Sequence, residues 1–122
     1  MEQGSHDVAL SIPASPGYLV LARLALSAVC RLTALEAVEV ADLKLAVTEA
    51  ANEFVEGHAD DNGREDTIDF TFALAQDRLV LTLVGPSIAT AAAEEELGRA
   101  IIDATVDESH FSPGRTTLTK RL

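Results

Sequence analysis

The stretch DLKLAVTEAANEFVEGHA, residues 42–59, has the pattern of an amphipathic helix that runs into a polar turn. Its apolar residues recur at intervals of three and four, as on one face of an α-helix. The pattern predicts a helix over about residues 39–56 and a turn around Asn62-Gly63. The predicted inward face consists of Val40, Leu43, Val47, Ala50 and Phe54. The other side carries Glu49, Asn52, Glu53 and Glu56.

That polar row has two interpretations when spacing alone is considered. Glu49 and Glu53 are four residues apart, so their carboxylates lie on one side of the helix. With Asn52 and Glu56 they offer the hard oxygen ligands that a divalent cation prefers. One of the carboxylates could instead act as a general base. A solvated acidic face explains the same row equally simply, because acidic runs usually mark a surface.

The segments around this helix predict the element order β-α-α-β-β-α-β-β. Alternating apolar residues predict strands at 8–12, 67–74 and 78–84, the last two forming a hairpin, and shorter strands at 109–111 and 116–122. Further helices are predicted from Ser15-Pro16 to about Leu32 and over about residues 90–105. The predicted inward face of the last helix is Leu97, Ala100, Ile101 and Ala104. Because the strands are grouped in hairpins, the fold class is α+β, a two-layer sandwich with helices on one face of a mostly antiparallel sheet.

Length and composition predict a single domain over residues 1–122. Nine Lys and Arg against 20 Asp and Glu give a net charge of −11, which argues against nucleic acid as a partner. The acidity favours a basic protein partner, or only keeps the domain in solution. The N-terminus lacks the pattern of a signal peptide, and the longest apolar run, residues 18–32, is interrupted and too short for a membrane span. We therefore expect a cytoplasmic protein that does not enter the membrane, with Cys30 as a buried apolar residue.

Three polar residues share one stripe of the first predicted helix. Arg23, Ser27 and Arg31 are spaced i, i+4 and i+8, and the rest of the helix circumference is apolar. Such a helix is buried on most sides or has a partner. Arginine is enriched at protein interfaces, so these three residues are candidates for partner binding. His58 and His110 stand singly, without the spacing of a zinc site.

The stretch at 42–59 resembles the N-box helix of the GHKL (histidine-kinase-like ATPase) superfamily, and more closely its anti-sigma branch, the RsbW- and SpoIIAB-like serine kinases. The likeness includes Glu49, which matches the catalytic base of that branch. It extends to Leu21-Ala22-Arg23 in the first helix, to GRAIIDATVDES at 98–109 and to the closing SPGRTTLTKRL at 112–122. The resemblance implies the GHKL fold and an ATP and Mg²⁺ site on the N-box helix.

Three departures concern the nucleotide site that the resemblance implies. Glu53 stands where the family has its Mg²⁺-binding Asn, and Asn52 is one place early, about 100° around the helix. The adenine-binding Asp of the family's Asp-x-Gly-x-Gly box has no counterpart at residues 84–87, where only Gly85 remains. The glycine loop before the last long helix keeps Gly98 behind three glutamates at 94–96. We therefore expect a decayed nucleotide site with Glu49 as a vestigial base, and no cofactor unless the site still binds ATP and Mg²⁺ through Glu53.

The resemblance leaves three functional hypotheses. The first is an anti-sigma-like transcription regulator that binds a sigma factor or a STAS-domain anti-anti-sigma protein in a partner-switching pathway, with Arg23 at the contact. The family also implies a dimer through the first helix and the edge strand at 8–12, with itself or with an intact homologue. The second hypothesis is an active serine kinase, with Glu49 as base and Glu53 as a metal ligand. The third is a non-catalytic dimerisation or scaffold domain.

Overall fold

A computed structural model describes residues 6–55, 66–86 and 92–122 of the chain. Within these ranges, three α-helices and five strands follow one another in the predicted order: β1 (His6–Pro13), α1 (Leu19–Cys30), α2 (Ala37–Val55), β2 (Thr67–Leu74), β3 (Arg78–Val84), α3 (Ala92–Thr105), β4 (Glu108–Ser112) and β5 (Arg115–Arg121). Glu56, His58, the predicted turn around Asn62-Gly63, and the residues at 87–91 before α3 lie outside the described ranges.

The five strands form one antiparallel sheet in the order β1-β2-β3-β5-β4. Phe72 pairs with Leu81, and Leu81 pairs with Leu118, so these side chains form a row across the sheet. All three are fully buried, whereas the alternate positions of β2 are exposed or half-buried. The helices therefore cover one face of the sheet, and the predicted α+β class is confirmed. β1 lies at one edge, as predicted.

The first two helices form where their sequence signals place them. Pro16–Tyr18 make a single 3₁₀ turn before α1, whose α-helical part starts at Leu19. Thr33 stabilises the connection to α2, because its hydroxyl donates to the carbonyl of Cys30 at 2.7 Å and accepts from Leu35 N at 3.1 Å. The predicted inward face of α2 is confirmed: four of its five residues are buried and the fifth, Val40, packs against the core. Cys30 is buried as predicted, and burial raises the pKa of its thiol.

The predicted inward face of α3 is wrong. Leu97 is 65% exposed, and Ala100 and Ala104 are exposed as well. The residues that face α2 and the sheet are Gly98 and Ile102, one turn apart. Gly98 lies against α2, since a Cβ built on it would be 3.4 Å from Oε1 of Glu49.

No helix within the described ranges combines the length and apolar character that a membrane crossing requires.

Candidate functional site

An ion pair between α2 and α3 lies at the centre of the candidate site. Nη2 of Arg99 is 3.4 Å from Oε1 of Glu53 and 3.2 Å from Oε2 of Glu95. The Arg99 guanidinium also lies over the ring of Phe111, 4.2 Å from its centroid. One cation therefore joins two helices and a strand through two carboxylates and a cation–π contact.

Each partner reaches this point for a local reason. Glu53 lies in the last turn of α2, directly before the buried Phe54 that fixes the helix against the core. Glu95 and Arg99 are i, i+4 on α3, so their side chains meet on one side of that helix. Phe111 extends from β4 and packs against the core.

The electrostatics of Glu53 are dominated by burial. Its side chain is only 15% exposed, and this desolvation raises the pKa of its carboxyl. Arg99 opposes that change through its hydrogen bond and its charge, while the negative charges of Glu95 and Glu49 add to it. Oε2 of Glu53 and Nε of Arg99 are buried and lack a hydrogen-bond partner among the described residues. The hydrogen-bonding capacity of the Arg99–Glu53 pair is therefore only partly used within the described residues.

A cavity of about 330 Å³ adjoins the pair. It is lined by Glu53, Phe54, Pro86, Glu95, Arg99, Phe111, Ser112, Pro113, Gly114 and Thr116. Gly85 and Gly114 meet behind it, where the amide of Gly85 donates to the carbonyl of Gly114 at 3.0 Å. Gly114 has a φ of 74°, which glycine adopts without strain. A Cβ on Gly85 would lie 2.8 Å from Cδ1 of Phe54, so this close packing requires a glycine.

The structure brings some of the predicted site residues together and separates others. Glu49, Glu53 and Gly98 are neighbours on the facing sides of α2 and α3. Gly85 lies beside Phe54, next to the cavity. Asn52 is half-buried and is not among the residues that line the cavity. Within the described ranges, no three His, Cys, Asp or Glu side chains converge in a way that could hold a metal ion.

Arg99 and Phe111 are site residues that the sequence pattern did not predict. The i, i+4 spacing of Glu95 and Arg99 is a readable signal for an ion pair on one helix. The contacts of Arg99 with Glu53 and Phe111 had no such signal, because they join three separate elements. Of the three glutamates predicted near Gly98, Glu95 belongs to the ion pair and Glu96 is exposed; the side chain of Glu94 lies outside the description.

The polar stripe of α1 faces α2. Nη1 of Arg23 donates to the hydroxyl of Thr48 at 3.4 Å. Ser27 and Arg31 line a second cavity, between α1 and α2. The face of α1 that remains exposed is apolar, with Val20, Leu21 and Leu24 at 44%, 43% and 61% exposure.

Comparison with known proteins places this geometry in a family. The model of the histidine kinase-like ATPase domain matches residues 12–122. The chain belongs to this family. The match includes α1, α2 and α3 and therefore every residue of both cavities.

Two relatives confirm the likeness to the RsbW branch. The chain is 29% identical over 110 residues to the serine-protein kinase RsbW of Bacillus subtilis, covering 88% of this chain and 68% of that protein. It also superposes with a TM-score of 0.70 on the crystal structure of the RsbU and RsbW domains of Rv1364c from Mycobacterium tuberculosis, at 21% identity. That alignment covers 95% of this chain and 32% of the other, so the chain spans about a third of that protein and shares its fold over this part.

Proposed function

We propose that this domain is a regulatory binding protein of the RsbW-like branch that works without nucleotide. Its partner would be a sigma factor or a STAS-domain anti-anti-sigma protein, as the family resemblance implies. The observation that supports the proposal is the ion pair of Arg99 with Glu53 at 3.4 Å. The family resemblance implies that Glu53 stands at the position of the metal-binding Asn, so the proposed role of Arg99 is to neutralise this position in place of a metal ion.

The residues present do not fit Mg²⁺ and ATP. Glu49, Glu53 and Glu95 bring three carboxylates to this region, and among the described residues Arg99 pairs with Glu53 and Glu95. Each additional negative charge about 4 Å from a polyphosphate costs on the order of 4 kcal/mol at an effective dielectric constant near 20. The adenine-binding Asp that the family resemblance implies is also missing, since Val84 is followed by Gly85 and Pro86. A site without that hydrogen-bonding partner loses affinity and selectivity for the base.

The exposed side of α1 supports a protein partner or a second copy of the chain. Val20, Leu21 and Leu24 form an apolar surface, and such surfaces often mark interaction sites. The edge strand β1 lies next to it and carries the exposed Val8. An uncovered strand edge offers backbone groups for pairing with another chain. We propose that this surface supports the dimer that the family resemblance implies.

An active serine kinase is the competing function. It is favoured by Glu49, which keeps the position of the family's base and lies against Gly98. In that case Glu53 would act as an unusual metal ligand, although it is engaged by Arg99.

The test is a binding and phosphotransfer assay with purified sigma factors and STAS proteins from the source organism. The proposal expects complex formation that Mg·ATP does not change, with no phosphate transferred. Leu24→Ala, on the exposed apolar face of α1, should weaken the complex, and Val38→Ala, at a similarly exposed position on α2, is the matched control. Phosphate transfer that is lost in Glu49→Ala would establish the kinase instead. Absence of any complex would favour a scaffold domain.

A further inference from the structure

A second cavity, of about 420 Å³, lies between the end of α1, the connecting loop and the first half of α2. It is lined by Ser27, Cys30, Arg31, Thr33, Leu35, Ala37, Val40, Ala41 and Lys44. The size falls within the range of small-molecule sites in proteins. Its wall is mainly apolar and includes the buried Cys30. Burial raises the pKa of the Cys30 thiol, which favours its neutral form.

The charge of this cavity is opposite to that of the chain. None of the residues that line it is acidic, although the chain has 20 Asp and Glu and a net charge of −11. Arg31 directly follows the last residue of α1 and Lys44 lies on α2, and neither forms an ion pair with any residue in the described ranges. Glu36, Glu39 and Asp42 are close to the lining residues in sequence but do not line the cavity. Glu39 accepts from Glu36 N at 2.9 Å and lies 3.7 Å from Nζ of Lys120.

We propose that this cavity binds a monocarboxylate with an apolar body, of the size of a medium-chain fatty acid. Arg31 and Lys44 would hold the carboxylate through charge-assisted hydrogen bonds, and the Ser27 hydroxyl is available as a further donor. Leu35 and Val40 would contact the apolar body. Because the ligand would lie between α1 and α2, it would set the position of α1, whose exposed face is the candidate partner surface.

Calorimetric titration with octanoate tests the proposal, with octanol and acetate as probes that lack the charge and the apolar body. We expect saturable binding of octanoate, at least tenfold weaker binding of octanol, and at least tenfold weaker octanoate binding in Lys44→Gln. Arg78→Gln is the matched control, since it removes an exposed cation outside the cavity. Ala41→Phe should abolish binding without unfolding the protein, because Ala41 lies at the exposed side of the cavity.

The proposal would be overturned if octanoate showed no saturable binding up to about 10 mM. It would also be overturned if Lys44→Gln and Arg78→Gln lost octanoate affinity equally, or if Ala41→Phe bound octanoate as tightly as the wild type. The carboxylate could belong to a free acid or to the C-terminus of a protein. Titration with a short peptide that ends in a free leucine carboxylate, and with the same peptide as its C-terminal amide, distinguishes these two sources. Binding of octanoate alone identifies a free acid. Binding of the peptide acid but not the amide identifies the chain end of a protein.

Discussion

The guanidinium of Arg99 lies 3.4 Å from Oε1 of Glu53 and joins α3 to the last turn of α2. The pair is partly buried, and one atom of each side chain lacks a hydrogen-bond partner within the described part of the chain. The pair therefore provides the buried Glu53 carboxylate with a counterion from within the chain.

Removing Arg99 should destabilise the domain. Arg99→Met leaves the Glu53 carboxylate buried without its cation, so we expect the free energy of unfolding to fall by about 1–3 kcal/mol. Urea denaturation measures this change. The control is Arg121→Met, which breaks the exposed pair with Glu108 and should cost less than about 0.5 kcal/mol. Equal losses in the two variants would contradict a specific role for the Arg99 pair.

The pH dependence of stability should reveal the raised pKa of Glu53. Burial raises the pKa above its ordinary value of 4.5, so the folded state binds this proton more tightly than the unfolded state does. Stability should therefore increase as the pH falls from neutral through the raised pKa, and decrease as it rises. The difference between the wild type and Glu53→Gln isolates this contribution from the general repulsion of an acidic chain. If the free energies of unfolding of the two proteins changed in parallel with pH, the raised pKa of Glu53 would be contradicted.

Gly85 should tolerate no side chain. A Cβ at this position would lie 2.8 Å from the ring of the buried Phe54, so Gly85→Ala should destabilise the protein by about 1–3 kcal/mol. Gly17→Ala is the matched control, because a Cβ there meets no atom within 4 Å. Thermal unfolding of both variants measures the contrast. A Tm of Gly85→Ala equal to that of Gly17→Ala would show that the packing relaxes freely.

The exposed face of α1 should control self-association. Leu24 is 61% exposed, so Leu24→Asp should convert a dimer into a monomer without loss of folding. Val38→Asp is the control, since Val38 is 64% exposed on α2, away from this face. Size-exclusion chromatography with light scattering gives the molar masses. A dimer that persists in Leu24→Asp would place the interface elsewhere.

The sequence predicted most of the fold because the alternation in β2 and β3 and the helical spacing in α2 directly reflect burial. The prediction of the inward face of α3 was wrong for a physical reason. Leu97, Ala100 and Ala104 form a stripe of apolar residues, but the side of α3 that is buried carries Gly98 and Ile102 instead. A residue without a side chain adds nothing to a hydrophobic pattern.

The candidate site was predictable only in part. Glu49 and Glu53 were found from helix spacing and from the family likeness, and the structure places them together. The ring of Phe111 over Arg99 was not predictable, because β4 and α3 meet there only through the folded sheet. The pattern within α1 likewise did not predict that its polar stripe faces α2, because this depends on where α2 packs in the folded protein.

Calorimetric titration with Mg·ATP tests the central claim most directly, with B. subtilis RsbW as the positive control under the same conditions. We predict no binding heat and no shift in Tm for this domain, because its carboxylates and the Arg99 pair do not suit a polyphosphate. Binding at about micromolar strength that is lost in Glu49→Ala would contradict the account and establish a working nucleotide site.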